Sequence, residues 1–111
     1  MAVSQEYRAW VLELLGRVGP VSGRAMFGAL GLYLDGLMFG LVDDDTVYFK
    51  TDETTRADFE TAGSRPFRPF GDARPMPYYE LPADELEEHD QLRSWTHRAV
   101  DVARRAKGRK K

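Results

Sequence analysis

The sequence predicts an α+β fold in two layers, a five-stranded antiparallel sheet with helices in the order α-β-β-β-α-β-β-α. Three observations lead there. From Arg24 to Lys50 (RAMFGALGLYLDGLMFGLVDDDTVYFK) apolar and polar residues alternate with period two, interrupted at Asp35-Gly36 and at Asp43-Asp44-Asp45. On both sides of this stretch the apolar spacing changes to a helical one. Between Ser64 and Leu81 a proline-rich segment still holds two short apolar runs suited to strands.

The first helix is capped by Ser4 and carries Glu6 in its first turn, where the helix dipole favours a negative charge. Tyr7, Trp10, Val11, Leu14, Leu15 and Val18 form one apolar stripe, which is a core face, and Gly19-Pro20 forbids continuation. Val21 to Arg24 is expected to be a connector. Three strands follow, built on Leu32 and Leu34, on Met38 to Val42, and on Val47 and Phe49, with Asp35-Gly36 as a tight hairpin turn. Asp52 is expected to cap a second helix with the stripe Thr55, Phe59 and Ala62, ended by Gly63. An edge strand at Pro66–Phe70, a turn at Gly71-Asp72 and a strand at Met76–Leu81 come next. Pro82 to His89 is a short acidic helix. The last helix, capped by Asp90, uses Leu92, Trp95, Ala99, Val102, Ala103 and Ala106, and Gly108 is expected to end it.

Residues 1–107 are thus one domain, with 108–111 as a basic, disordered tail. No apolar run reaches the ~20 residues of a membrane span, and MAVSQEYRAW lacks the features of a secretory signal, so the cytoplasm is expected. The chain has no cysteine, which excludes disulfides, thiolate nucleophiles and Cys-ligated metal. Residues 1–97 carry nine Lys and Arg against 17 Asp and Glu, a balance of −8, whereas 98–111 carry seven basic residues and one acidic, +6. The body would repel a phosphate backbone, and only the C-terminal end would attract one.

Motifs for chemistry are scarce. Gly28-Ala29-Leu30-Gly31 lacks the spacing and the following helix of a phosphate loop. Asp43-Asp44-Asp45 lacks the spacing of a calcium loop and reads as a solvated turn, and His89 and His97 read as surface residues. Neither a catalytic constellation, nor a cofactor, nor a metal site is expected.

Arg24 to Gly28, Gly31-Leu32-Tyr33 and Asp35-Gly36-Leu37-Met38-Phe39-Gly40-Leu41-Val42 resemble the N-terminal domain of the TfoX/Sxy family of competence regulators. The resemblance continues through Phe49–Asp52, Arg56–Phe59, Ala62–Phe67, Met76–Pro82 and the helix from Trp95 to Ala106, with Ala29 and Leu30 departing from the commoner Gly and aromatic. It implies an antiparallel α/β fold in the order given above and a regulatory role. Full-length members promote natural transformation, acting with a cyclic-AMP-dependent activator at competence promoters. No enzymatic activity is attached to the family. Its full-length members also carry a C-terminal helix-hairpin-helix-like domain, and this chain stops where that would begin, so a stand-alone domain is expected.

The resulting expectation is a non-enzymatic cytoplasmic interaction module, a transcriptional co-regulator working through a protein partner such as a transcription regulator. An alternative is weak direct nucleic-acid binding through Arg98, Arg104, Arg105, Lys107, Arg109, Lys110 and Lys111, assisted by Arg65, Arg68 and Arg74 among aromatic neighbours. A third reading is a small-molecule pocket between the sheet and the last helix, lined by Tyr33, Tyr48 and Tyr79. An open edge near Phe67 would allow a homodimer by sheet extension.

Overall fold

A computed structural model of the chain describes residues 3–26, 28–68 and 76–109. Five antiparallel strands lie side by side in sequence order: β1 (Ser22–Met26), β2 (Ala29–Leu34), β3 (Leu37–Asp43), β4 (Thr46–Lys50) and β5 (Tyr78–Glu80). Helices α1 (Gln5–Gly16), α2 (Arg56–Thr61), α3 (Ala83–Leu86) and α4 (His89–Arg109) complete the fold. The α+β class with a five-stranded antiparallel sheet is therefore the fold found.

Which segments supply the strands differs in two places. Ser22–Met26, expected as a connector, is strand β1, registered on β2 from Ser22↔Tyr33 to Met26↔Ala29. Its sequence, SGRAM, has no β-branched or aromatic residue, so its extended form comes from pairing rather than from propensity. Pro66–Phe70, expected as an edge strand, contributes among the described residues a single bridge, Pro66↔Tyr79. A proline cannot donate to a ladder. Phe70 and the turn expected at Gly71-Asp72 lie outside the described residues.

The β2–β3 and β3–β4 hairpins each turn on two residues with positive φ, Asp35 and Gly36 (55° and 77°) and then Asp44 and Asp45 (51° and 52°). Paired positive φ values match the right-handed twist of the flanking strands. Asp45 also reaches beyond its own turn, where its carboxylate accepts from the Ser4 N–H at 3.0 Å and the Ser4 hydroxyl at 3.2 Å. Ser4 in turn caps α1 by accepting from the Tyr7 N–H at 3.1 Å. The β3–β4 hairpin is thereby tied to the start of α1.

The pairing of β2 and β3 shifts register between Leu32↔Gly40 and Tyr33↔Met38, leaving Phe39 as the extra residue of a β-bulge. The bulge turns Phe39 into the core, where its ring meets Phe49 edge-on at 5.5 Å and 70°. Leu30, Leu32, Val42 and Val47 share this face with Val11 and Leu15 of α1, Phe59 of α2, Leu86 of α3 and Leu92, Ala99 and Val100 of α4. All the helices therefore serve one face of the sheet. Helix α2 begins at Arg56, later than an Asp52 cap would place it: Asp52 instead receives the Thr54 N–H at 2.9 Å in a turn before the helix. Gly63 (φ 81°) ends α2 as expected, with Ser64 N–H donating to Phe59 and Gly63 N–H to Glu60. Ala62 is exposed, so the buried stripe of this segment is Thr55 and Phe59. Helix α4 passes through Gly108 to Arg109, because a glycine with helical backbone weakens a turn by only ~1 kcal/mol and does not stop it.

Candidate interaction surfaces

The basic half of α4 folds back on the protein's own carboxylates. Arg105 donates to Asp52 at 3.0 and 3.3 Å and to the Thr54 hydroxyl at 3.2 Å, and that hydroxyl donates to Asp52 at 2.6 Å. About two turns earlier, Arg98 pairs with Asp58 of α2 while lying over the Trp95 ring, 5.2 Å from its centroid. Arg104 pairs with Asp101 on its own helix at 3.0 Å. Burial would raise the Asp52 carboxyl, but the hydrogen bonds from Thr54 and Arg105 outweigh it and hold the group down at about 2. Trp95, whose indole N–H donates to Glu85 at 2.7 Å, packs on Phe59 at 4.4 Å, so the same seam also joins α2, α3 and α4. Arg98, Arg104 and Arg105 are thus brought near carboxylates rather than to one another. Lys107 is exposed. Arg65 approaches Glu80 at 3.9 Å, and Arg68 lies near Tyr79, both beside β5. Arg74, Lys110, Lys111 and the Arg109 side chain lie outside the described residues.

The face of the sheet turned away from the helices is aromatic. The cross-strand row Arg24, Gly31, Leu41, Tyr48, Glu80 lies on it, as do Tyr33, Lys50 and Tyr78. Arg24 sits 5.2 Å over the Tyr33 ring and Lys50 5.3 Å over Tyr78, both in reach of cation–π attraction. Phe67 stacks on Tyr48 at 4.8 Å. Burial raises Tyr78, with Tyr33 adding to it, and burial followed by Glu80 and Asp43 raises Tyr48. Tyr79 points the other way: it packs on Phe59, and its hydroxyl donates to Glu60 at 3.2 Å. Tyr33, Tyr48 and Tyr79 therefore do not line one pocket. Alternation along β4 and β5 sends Tyr48 and Tyr79 to opposite faces, and α4 lies on the face that Tyr33 and Tyr48 leave.

A shallow cleft of about 310 Å³ opens between the β2–β3 turn and α4, lined by Leu34, Asp35, His97, Val100, Asp101 and Arg104. Its charged groups are Asp35, Asp101 and Arg104, and Arg104 is already paired with Asp101. Among the described residues no three His, Asp or Glu side chains converge where a metal ion could sit. None of their helices is long and apolar enough to cross a membrane.

The fold and these surfaces define a small two-layer α+β domain whose helices all cover one side of a meander. The chain belongs to the TfoX N-terminal domain family, which it matches over residues 13–103. That span runs from α1 to the penultimate turns of α4 and includes every strand. No curated protein matches the chain.

Proposed function

We propose that this chain is a non-enzymatic, cytoplasmic regulatory module of the competence-regulator type, which acts by contact with a protein partner, a transcription regulator. The observation that carries the reading is membership of the TfoX N-terminal domain family over residues 13–103, which include every strand. The electrostatics agree with it. The acidic body opposes direct phosphate binding, and Arg98, Arg104 and Arg105 are engaged by Asp58, Asp101 and Asp52. Capture from an extract of the source cells on immobilised chain, competed by free chain, is expected to return one defined, saturable protein partner. Absence of any competable partner would overturn the proposal.

One observation favours a second reading. Exposed Lys107 stands at the C-terminal end of α4 beyond the paired arginines, followed in sequence by Arg109, Lys110 and Lys111. These would give weak, sequence-independent nucleic-acid contact whose affinity falls steeply with salt. In a gel shift, loss of binding on joint substitution of Lys107, Lys110 and Lys111 by Ala supports this contact. Binding indifferent to both salt and those substitutions excludes it.

A further inference from the structure

The two edges of the sheet are finished differently. At β5 the outer edge is closed by the chain itself: Phe67 N–H donates to Tyr78 at 2.7 Å, Glu80 N–H donates to Arg65 at 3.0 Å, and Pro66 bridges Tyr79. The segment expected as an edge strand near Phe67 is thus what covers β5. At the other end β1 pairs with β2 alone, and no described residue hydrogen-bonds to its outer backbone.

This free edge lacks the usual guards against strand addition. Residues 22–26 contain no proline and no lysine. Their one charge, Arg24, is drawn inward over the Tyr33 ring of β2, 5.2 Å from its centroid. On the helix side the strand shows only Gly23 and Ala25, and the Leu30 side chain closes over Gly23, its Cδ1 standing 3.0 Å from where a Cβ would lie. Small residues there leave a second backbone room to approach.

We propose that β1 is the docking edge for a second copy of this chain, pairing antiparallel about a two-fold axis to make one continuous sheet. The choice of occupant follows from the unequal edges. A row of open backbone donors and acceptors is satisfied by another extended strand, and every copy carries the same row. Because a two-fold pairing uses up the β1 edge of both copies, it closes at two. Charge selects the register: Arg24 faces Ser22 or Met26 of the other copy, since Arg24 against Arg24 would set like charges directly opposite. The pairing stands independently of the functional reading above.

Sedimentation of the full chain across a concentration series is the test. The wild type is expected to approach twice its 12.6 kDa mass as concentration rises. Ala25→Lys places a charge at the exposed edge and is expected to remain monomeric, with an unchanged circular-dichroism spectrum. Amide exchange of the wild type gives a second measurement that needs no variant: outward-facing amides of residues 22–26 slow as the dimer forms. A wild type still monomeric at about 1 mM, the weak limit for a specific association, overturns the proposal. So does a dimer that survives Ala25→Lys or leaves the β1 amides unprotected, and so does a monomer whose edge is taken by an unrelated extended peptide.

Discussion

Gly40 and Gly16 show how different two glycines can be. A Cβ at Gly40 would lie 2.6 Å from the Tyr48 carbonyl oxygen and 3.0 Å from the Phe49 ring, inside the bulge that turns Phe39 into the core. Backbone cannot step aside as a flexible side chain can. Gly40→Ala is expected to destabilise the fold by about 3 kcal/mol, at the upper end of overpacking costs, in urea unfolding. A Cβ at Gly16 would meet open space in the last turn of α1, where alanine is the better helix former. Gly16→Ala is expected to raise stability by about 0.5 kcal/mol in the same measurement. Both positions look alike in the sequence, where each is a glycine following an apolar residue, because the neighbour that separates them is on another strand.

Among the elements, the α2–α4 seam rests on a carboxylate whose ionised form is preferred by the fold. Asp52, ordinarily near 3.8, is held at about 2 in the folded chain, against the effect of its own burial, by Thr54 and Arg105. Its contribution to stability is present above the ordinary carboxylate value and fades as pH falls from there to about 2. Asp52→Asn is therefore expected to cost about 1 kcal/mol near neutrality, discounted for the exposed side of Arg105, and the gap from wild type should close in acid. Paired urea titrations of the two proteins at neutral and acid pH measure it. An equal gap at both pH values would show that the carboxylate is not what joins the seam. The same seam explains why Asp52 does not cap α2: its oxygens are already engaged by a turn and by an arginine more than 50 residues away in sequence.

Across the protein as a whole, the alkaline limit is set by tyrosines. Tyr7, Tyr48, Tyr78 and Tyr79 are all raised, in each case first by burial, and Tyr79 next by its hydrogen bond to Glu60. A group raised in the fold favours the folded state while protonated. Stability is therefore expected to hold up to the ordinary tyrosine value near 10 and to fall as pH rises through the folded values. Phenolate absorbance should titrate later in the native chain than in denaturant, while urea midpoints decline over the same range. Native and denatured titrations that superimpose would refute the assignment.

The meander was legible along the chain alone, because period-two alternation and turn residues are local, and so were the stripes of α1 and α4. Ser4 as a cap, Asp35-Gly36 as a turn and Gly63 as a stop could be read in the same way, each from a residue with its own backbone chemistry. The candidate surfaces could not. That SGRAM is a strand depends on β2 lying beside it, and that Arg98 and Arg105 are occupied depends on α2 lying beside α4. The partition of Tyr33 and Tyr48 from Tyr79 needed the sheet's register. The open edge at β1 and the closed one at β5 needed the strand order, and Arg65 to Phe67 docked on Tyr78 to Glu80. Periodicity along a chain reports which side of an element is apolar. Which charges and backbone groups remain unpaired is set by partners distant in sequence, and those meet only when the chain has folded.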